Sequence, residues 1–258
     1  MLRTRVIPCL LLRNESLVKT VQFGKFTYIG DPCNTVRIFN ELEVDELMFL
    51  DITASSEKRA PNIKVLSDIA NECFMPLSYG GGVKSLEMAK RIFEIGVEKI
   101  VLNTHAIENP ELITEIANIY GSQSVVVSID VKKNIFGNYT IRSNAGKRSQ
   151  YLGLVEWAKR VELLGAGEIL LTSIDREGTW AGYDNVLTRI IADSVIIPVV
   201  ANGGAGTVSH LQEAVAIGGA SAVALGSMVT FQKKEMGVLV SFPGESELKS
   251  ALHNYIKY

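Results

Sequence analysis

Short apolar runs alternate with helical patterns along this chain, and each apolar run has the length of a strand. Residues 125–129 before Asp130 are apolar except for Ser128, as expected of a strand covered on both faces. Ser85 is placed to cap a helix that Gly96 ends, and Pro110 to occupy the first position of another. The pattern predicts eight strands, near residues 5–11, 46–51, 76–79, 98–103, 124–130, 168–173, 197–201 and 221–226.

Eight strands that alternate with helices in 258 residues predict a single (β/α)8 TIM barrel, an α/β fold that usually needs about 250 residues. Two stretches interrupt the rhythm. Residues 13–31 are expected to form a long, mostly polar loop, and residues 132–149 a hairpin after the fifth strand. Because long loops after barrel strands usually lie over an active site, we expect one domain over residues 1–258 with its site at that end.

The chain also repeats itself. Residues 76–82 (PLSYGGG) recur as residues 198–204 (PVVANGG), and residues 45–49 recur at the same offset as residues 167–171. Self-similarity over half of a chain predicts a duplicated scaffold, here two half-barrels of about residues 1–120 and 121–258 with two-fold pseudo-symmetry.

Each half places glycines directly after a strand and before a helix, and small polar residues at the end of the next strand. Glycine lets backbone N–H groups approach a phosphate, and the helix N-terminus that follows favours negative charge. The alternative is a pair of tight turns with no ligand. Two symmetric copies favour phosphate sites, and hence a small molecule with a phosphate at both ends. The residues concerned are Gly81, Gly82, Asn103 and Thr104 in one half, and Gly203, Gly204, Gly226 and Ser227 in the other.

Charged residues stand at both ends of the predicted strands. Asp130 and Asp51 end strands, where each either faces the barrel mouth or caps its own turn. Lys19, in the first long loop, could reach an anion, although a solvated lysine is the ordinary outcome. Four other residues begin strands and would meet at the opposite, N-terminal face as a salt-bridged plug. They are Arg5, Glu46, Lys99 and Glu168.

Composition narrows the classes of partner. The chain has 26 basic and 28 acidic residues, so no overall charge attracts nucleic acid or an acidic membrane. It contains no apolar run of the roughly 18 residues that a membrane span needs, and its beginning reads as a strand rather than a signal peptide. Three cysteines without metal-like spacing predict free thiols and a cytoplasmic location. The histidines are isolated, so neither a metal site nor a cofactor is expected. These residues are Cys9, Cys33, Cys73, His105, His210 and His253.

Several segments, in order along the chain, resemble the cyclase subunit of imidazole glycerol phosphate synthase. They are residues 6–10 (VIPCL), 49–55 (FLDITAS), 80–82 (GGG), 109–113 (NPELI), 121–123 (GSQ), 165–176 (GAGEILLTSIDR) and 203–206 (GGAG). The resemblance implies a (β/α)8 barrel that docks a glutaminase on its N-terminal face. Ammonia from glutamine then crosses the barrel and cleaves a ribulosyl-linked nucleotide that carries two phosphates.

The resemblance also implies roles for the charged residues. The four basal charges, Arg5, Glu46, Lys99 and Glu168, match the family's ammonia gate. Asp130 takes an acid/base role, and Lys19 a catalytic role in a mobile first loop. Four residues at the C-terminal ends of strands are implied as substrate contacts, namely Asp51, Thr172, Glu177 and Gly178.

One position departs sharply from the family pattern. The family's first strand ends in Cys-Leu-Asp-Val, whose aspartate is the second acid/base carboxylate, whereas this chain has Leu11 there. Aligning the two half-barrels sets Leu11 opposite Asp130. Leucine cannot transfer a proton, and the loss of one such group typically costs about 10²–10⁴-fold in rate. Glu177 and Asn202 also replace the family's usual Asp and Ser.

A catalytic carboxylate is lost while the gate and the phosphate sites are kept. This combination resembles a paralogous branch of the family that works with a glutaminase and an ATP-dependent amidotransferase on surface-polysaccharide precursors. That branch converts an acetamido group of a nucleotide-linked sugar into an acetamidino group. We therefore predict an ammonia-supplying barrel subunit. Two alternatives stay open: a true histidine-pathway lyase that uses Asp130, and a non-catalytic scaffold that only activates its glutaminase.

Overall fold

The computed structural model describes residues 4–252. Its strands are Arg5–Arg13 (β1), Ser16–Thr20 (β2), Phe26–Gly30 (β3), Leu47–Asp51 (β4), Leu77–Gly80 (β5), Lys99–Leu102 (β6), Val125–Lys133 (β7), Tyr139–Ser143 (β8), Arg148–Ser149 (β9), Glu168–Ser173 (β10), Val199–Asn202 (β11) and Ala222–Leu225 (β12). Eight of these are parallel neighbours in the order β10-β11-β12-β1-β4-β5-β6-β7, and the pairing of β7 with β10 closes the ring. The predicted (β/α)8 barrel is confirmed.

Ten helices lie in the same part of the chain. They are Pro32–Glu41 (α1), Ile63–Glu72 (α2), Leu86–Glu94 (α3), Thr104–Glu108 (α4), Glu111–Tyr120 (α5), Leu154–Leu163 (α6), Asn185–Ala192 (α7), Val208–Ala216 (α8), Ser227–Thr230 (α9) and Glu245–Leu252 (α10). The Ser85 side chain accepts from the Met88 N–H and caps α3 as predicted, and Gly96 follows with a φ of 98°. Pro110 is the N-cap of α5 rather than its first helical residue, a shift of one position.

The prediction of a mostly polar loop over residues 13–31 is wrong. β2 and β3 form an antiparallel hairpin that extends from β1, with Leu11 opposite Val18. The sequence looked polar because β2 ends in Lys19 and Thr20, which are polar and yet buried, while β3 is exposed over residues 26–28. Leu17 and Val18, which are 1% and 4% exposed, anchor β2 in the core. The predicted hairpin after the fifth barrel strand is confirmed, since β7 continues into β8.

Apolar side chains fill two regions, one between the barrel and its helices and one inside the barrel. The interior group is ordered along the strands, because alternate residues of a strand face the barrel axis. Six of its members lie between the basal ends of the strands and the residues of the mouth. We call them the apolar layer: Ile7, Met48, Val126, Leu170, Val200 and Ala222.

Within residues 4–252 no helix has both the length and the apolar character to cross a bilayer. The three cysteines are free, as predicted. Cys9 is buried inside the barrel, and burial raises the pKa of its thiol to about 12, so the thiol stays protonated.

Candidate active site

The C-terminal ends of the barrel strands surround a cavity of about 350 Å³. It brings together every residue that the sequence predicts for this end of the barrel. These are Lys19, Asp51, Gly81, Gly82, Asn103, Thr104, Asp130, Thr172, Glu177, Gly178, Gly203, Gly204, Gly226 and Ser227. Parallel strands gather their carboxyl ends at one rim, which explains why residues so far apart in sequence line one cavity.

Asp130 is a buried carboxyl group in the wall of this cavity. Its Oδ1 accepts a hydrogen bond from Ser128 Oγ at 3.1 Å, and its Oδ2 accepts one from Asn103 Nδ2 at 3.2 Å. Burial nevertheless dominates, because a charged carboxylate is poorly solvated there, and it raises the pKa of Asp130 to about 6. A carboxyl with this pKa can both donate and accept a proton near neutral pH.

The wall opposite Asp130 is apolar. β1 lies four strands from β7 in the ring of eight, on the other side of the mouth. Leu11 lines the cavity from β1, as Asp130 does from β7. The apolar side chains that line this part of the cavity are Cys9, Leu11, Leu50, Val101 and Ala224. The cavity therefore offers Asp130 without a second carboxylate facing it from β1.

Lys19 is buried rather than solvated, so the ordinary expectation for an isolated surface lysine is wrong here. Its Nζ donates to Glu177 Oε1 across the mouth. The second oxygen of the same carboxylate accepts from Thr20 Oγ1 at 3.0 Å and from the Phe23 N–H at 3.1 Å. Burial lowers the pKa of Lys19 to about 8, while the Glu177 carboxylate favours the protonated ammonium. Glu177 thus fastens the β2–β3 hairpin over the cavity.

The mobile first loop and the substrate contact that the resemblance implied for Lys19 and Glu177 stay predictions, and the structure adds that these two side chains pair with each other. Gly178 takes part in the same junction, since a Cβ there would lie 2.9 Å from the Val21 Cα. Gly226 lies under the lysine stem, because a Cβ at Gly226 would be 2.8 Å from Lys19 Cε. Lys19 therefore reaches from the hairpin to the edge of the second predicted phosphate site.

The first predicted phosphate site is built from two glycines and the start of α4. Gly81 and Gly82 have backbone φ values of 124° and 71°, which residues with a side chain rarely adopt. The Asn103 amide is not available as a side-chain donor, since it bonds Asp130 and the Ser128 carbonyl. The Thr104 hydroxyl accepts from the Asn144 N–H at 3.1 Å. Only backbone groups of Asn103 are left for a phosphate, contrary to the expectation that its side chain contributes.

The second predicted phosphate site has the same construction. Gly203 and Gly204 have φ values of 92° and 114°, and the Gly204 carbonyl accepts from the Gly182 N–H at 2.8 Å. Gly226 and Ser227 begin α9 beside them on the ring, because β11 and β12 are neighbours. The Asn202 amide donates to Thr172 Oγ1 at 3.0 Å, so the substrate contact expected of Thr172 is already occupied on one side.

Asp51 follows the capping alternative. Its Oδ1 accepts from the Ala54 N–H at 3.1 Å and from the Arg59 guanidinium at 2.7 Å. It therefore shapes the loop after β4, and only its second oxygen is left to face a ligand.

The four basal charges form a closed ring of ion pairs at the N-terminal face. Glu46 accepts from Arg5 at 2.5 Å and from Lys99 at 2.9 Å, and it also accepts from the Ser78 hydroxyl. Glu168 contacts Arg5 as well, and lies 3.4 Å from Lys99. Burial acts to raise the pKa of Glu46, but Lys99 and Arg5 together hold it below its ordinary value. The predicted salt-bridged plug has this geometry, with each acid held by both bases.

His105 and His210 make no hydrogen bond to Asp130, Lys19 or Glu177. His105 lines the cavity and lies 3.7 Å from Glu108, and His210 Nδ1 accepts from the Gly206 N–H. His253 lies outside the described residues.

Sequence reasoning missed some residues of the site. The Ser128 hydroxyl donates a hydrogen bond to Asp130. The sequence did offer a signal for this residue, because Ser128 is a polar residue in an otherwise apolar strand and lies two positions before Asp130. Arg59, the partner of Asp51, had no local signal. Phe23 and Phe26 of the first hairpin and Lys147 of the second complete the cavity wall. Their contribution depends on how the two hairpins fold over the mouth.

Comparison of the sequence with known proteins shows the family to which the chain belongs. The family model described as histidine biosynthesis protein matches residues 5–235. The hisF2 protein of Pseudomonas aeruginosa is 49% identical over 96% of this chain and 99% of its own length. The imidazole glycerol phosphate synthase subunit HisF of Methanococcus vannielii is 43% identical over 92% of this chain and 94% of its own length. The corresponding subunit of Chloroherpeton thalassium is 44% identical over 90% of this chain and 92% of its own length. The chain therefore belongs to the HisF subunit family of imidazole glycerol phosphate synthase.

Proposed function

We propose that this barrel is the ammonia-delivering subunit of a glutamine-dependent complex that amidinates a nucleotide-linked sugar for surface polysaccharide. The observation that carries the proposal is the combination of an intact basal plug with a cavity in which Leu11, not a carboxylate, faces Asp130. The first feature serves entry of ammonia. The second removes the paired acid and base that ring closure would need.

The route for ammonia follows the barrel axis. A glutaminase on the N-terminal face would release ammonia at the plug, which opens when one base turns away from Glu46 or Glu168. The apolar layer comes next. Neutral ammonia crosses apolar surroundings at a far lower cost than ammonium or another ion, so the layer selects the reactive form. Ammonia then reaches the cavity beside Asp130.

The N-terminal face also has the apolar surface that a glutaminase interface needs. Phe74 precedes β5 and Ile196 precedes β11, and these side chains are 86% and 96% exposed. Both positions are at the entry end of the barrel, on the face that carries the plug. Exposed large apolar residues of this kind are typical anchors of a protein interface.

The cavity is too poorly equipped in acids and bases to complete a cyclisation rapidly. Amidination requires less acid and base catalysis from the cavity than cyclisation does. ATP transfers a phosphoryl or adenylyl group to the acetamido oxygen on the third enzyme, ammonia adds to the same carbon, and the C–O bond breaks so that the oxygen leaves as phosphate or AMP and the nitrogen loses a proton. The barrel then supplies ammonia and a platform. The two phosphate sites, Gly81, Gly82 and the start of α4 on one side and Gly203, Gly204, Gly226 and Ser227 on the other, would hold the phosphates of a nucleotide.

Turnover of the ribulosyl nucleotide with ammonium salt is the decisive assay. We expect no cyclase turnover at a normal rate without a partner, and no rescue of growth without histidine in a cyclase-deficient strain. We also expect glutamine-dependent amidination when the barrel is combined with its glutaminase and an ATP-dependent sugar amidotransferase. Ring closure at the rate of a two-carboxylate cyclase would refute the proposal.

Two variants sharpen the assay. Leu11→Asp restores a carboxylate opposite Asp130 and is expected to raise any residual cyclase activity, with Leu11→Asn as the matched control of similar size. Lys99→Ala breaks the plug and is expected to uncouple glutamine hydrolysis from product formation. Unchanged coupling would contradict the gate.

The second candidate is a true histidine-pathway cyclase. It is favoured by the names of relatives such as the HisF subunit of Methanococcus vannielii, and by Asp130, whose raised pKa suits proton transfer. The assay above separates it from the first candidate. A third candidate, a scaffold that only activates its glutaminase, would be left if a Met48→Trp block in the apolar layer changed nothing downstream.

A further inference from the structure

We infer that the hairpin after the fifth barrel strand, residues 131–150, is a docking arm for the enzyme that consumes the ammonia. The inference rests on the proposed function and names where that partner binds. It goes beyond the cavity, because the two residues at the tip of the arm lie outside the cavity wall.

The tip of the arm presents two large apolar side chains to solvent. Ile135 and Phe136 are 93% and 81% exposed. They are adjacent in sequence, so they form one continuous apolar point rather than scattered surface residues. An isolated exposed apolar residue needs no explanation, but a pair held out on a projecting turn is typical of an anchor that inserts into a partner.

The turn that carries them is held in shape. The Asn134 carboxamide oxygen accepts from the Phe136 N–H at 2.9 Å and from the Asn138 N–H at 3.0 Å. The Asn134 N–H donates to the Asn138 carbonyl at 2.9 Å, and Gly137 supplies a φ of 80°. The apolar pair is thus set in place before any partner arrives, which lowers the entropy lost on binding.

The base of the arm is braced against the barrel. The Lys133 N–H donates to Asp175 Oδ2 at 2.8 Å, and the Tyr139 hydroxyl bonds Asp184 at 3.0 Å. Ile141 is 1% exposed and packs in the core. The arm therefore stands at a fixed position beside the mouth, and Ala145 and Lys147 at its far end line the cavity itself. A partner seated on the arm would cover the mouth.

The arm carries a net positive charge, whereas the whole chain has a slight excess of acidic residues. It holds five basic residues and no acidic one, namely Lys132, Lys133, Arg142, Lys147 and Arg148. The rest of the chain has 21 basic and 28 acidic residues. Arg148 and Lys133 have acidic neighbours at 3.5 and 3.9 Å, but Lys132 and Lys147 form no ion pair with any residue between 4 and 252. These charges fit an acidic surface.

A protein partner fits these observations better than a membrane. A bilayer across this rim would close the mouth to the acceptor. Ammonia released into water is diluted and protonated, so the consuming enzyme has to seal the mouth. The occupant is accordingly that enzyme, with an acidic rim around an apolar socket.

The test uses the purified ATP-dependent sugar amidotransferase of the same organism as the probe, with the full-length barrel. We expect the double variant Ile135→Ser and Phe136→Ser to weaken its binding about tenfold or more, and Lys132→Glu to weaken it several-fold with a reduced salt dependence. Leu163→Ser is the matched control. It removes an apolar side chain that is 87% exposed at the end of α6 and is expected to leave this affinity unchanged.

Equal affinity of the double variant and the wild type would overturn the inference, as would no binding of the wild type. Binding of the wild type, but not of the double variant, to phosphatidylglycerol vesicles would assign the arm to a membrane and also overturn it. Activation of the glutaminase, measured in parallel, is expected to be unchanged in the double variant. Amidination by the wild-type complex together with normal binding of the double variant would refute the arm alone, whereas wild-type ring closure at the rate of a two-carboxylate cyclase would refute the proposed function.

Discussion

Replacing Asp130 by asparagine tests the electrostatics of the cavity directly. Burial raises the pKa of this carboxyl from 3.8 to about 6, so the folded protein holds its proton more tightly than the unfolded chain does. A raised pKa of this kind adds stability that is complete below the unfolded value and is lost as the pH rises through the folded value. The full contribution is about 3 kcal/mol, from the shift in pKa at about 1.36 kcal/mol per unit.

Between pH 5 and pH 8 the wild type is expected to lose about 1.4 kcal/mol of unfolding free energy through Asp130, and Asp130→Asn loses none of it. The changed hydrogen bonds to Ser128 and Asn103 shift the variant by the same amount at both pH values, so they cancel in this difference. Urea unfolding followed by tryptophan fluorescence measures it. Asp193→Asn, which removes a carboxylate that is 59% exposed, is the control.

Ser128→Ala extends the same test. The Ser128 hydroxyl bonds Asp130 and lowers its pKa, so removal of the hydroxyl is expected to move the loss of stability to higher pH. If wild type and Asp130→Asn give parallel curves of unfolding free energy against pH, Asp130 is not in the environment described here and the argument for its acid/base role fails.

Three further predictions follow from the plug, the hairpin and the first phosphate site. Lys99→Met leaves Glu46 and Glu168 to share Arg5, so we expect about 1–3 kcal/mol less unfolding free energy in urea, and glutamine hydrolysis that exceeds product formation. Glu177→Gln removes the charge that holds Lys19, so limited trypsin digestion at Lys25 is expected to be faster, and an unchanged rate would contradict the fastening role. Gly82→Ala places a Cβ 2.8 Å from the Arg59 carbonyl at a φ of 71°, so we expect about 1–2 kcal/mol lower stability and weaker binding of inorganic phosphate by calorimetry.

The barrel was predictable because its determinants are local and periodic. The strand runs are mostly apolar, as residues 125–129 are apart from Ser128, since barrel strands are covered inside and outside. The cap at Ser85 and the positive φ at Gly96 follow from residue type alone. The first hairpin was missed because β2 buries the polar residues Lys19 and Thr20 and because most of β3 is exposed, so that neither strand has the apolar pattern of a barrel strand.

The candidate site was predictable to the level of which residues meet. Parallel strands carry their C-terminal residues to one rim, so a glycine or a carboxylate at a strand end is placed by topology. The partners of those residues were not predictable. Asn103 serves Asp130 rather than a ligand, and Glu177 holds Lys19, because both contacts join segments far apart in the chain.

The sequence by itself determined the order of the barrel strands and helices and the positions of the glycine turns. It also showed that the first half-barrel has Leu11 at the position that corresponds to Asp130 in the second. Those features depend on periodicity and on residue type, which are properties of short segments. The sequence also predicted that the four basal charges meet, but only the tertiary structure decided that each acid is held by both bases, that the β2–β3 hairpin covers the mouth, and that the arm holds Phe136 outward. These depend on distances across the barrel and on burial, and a linear chain fixes neither until its sheet has closed.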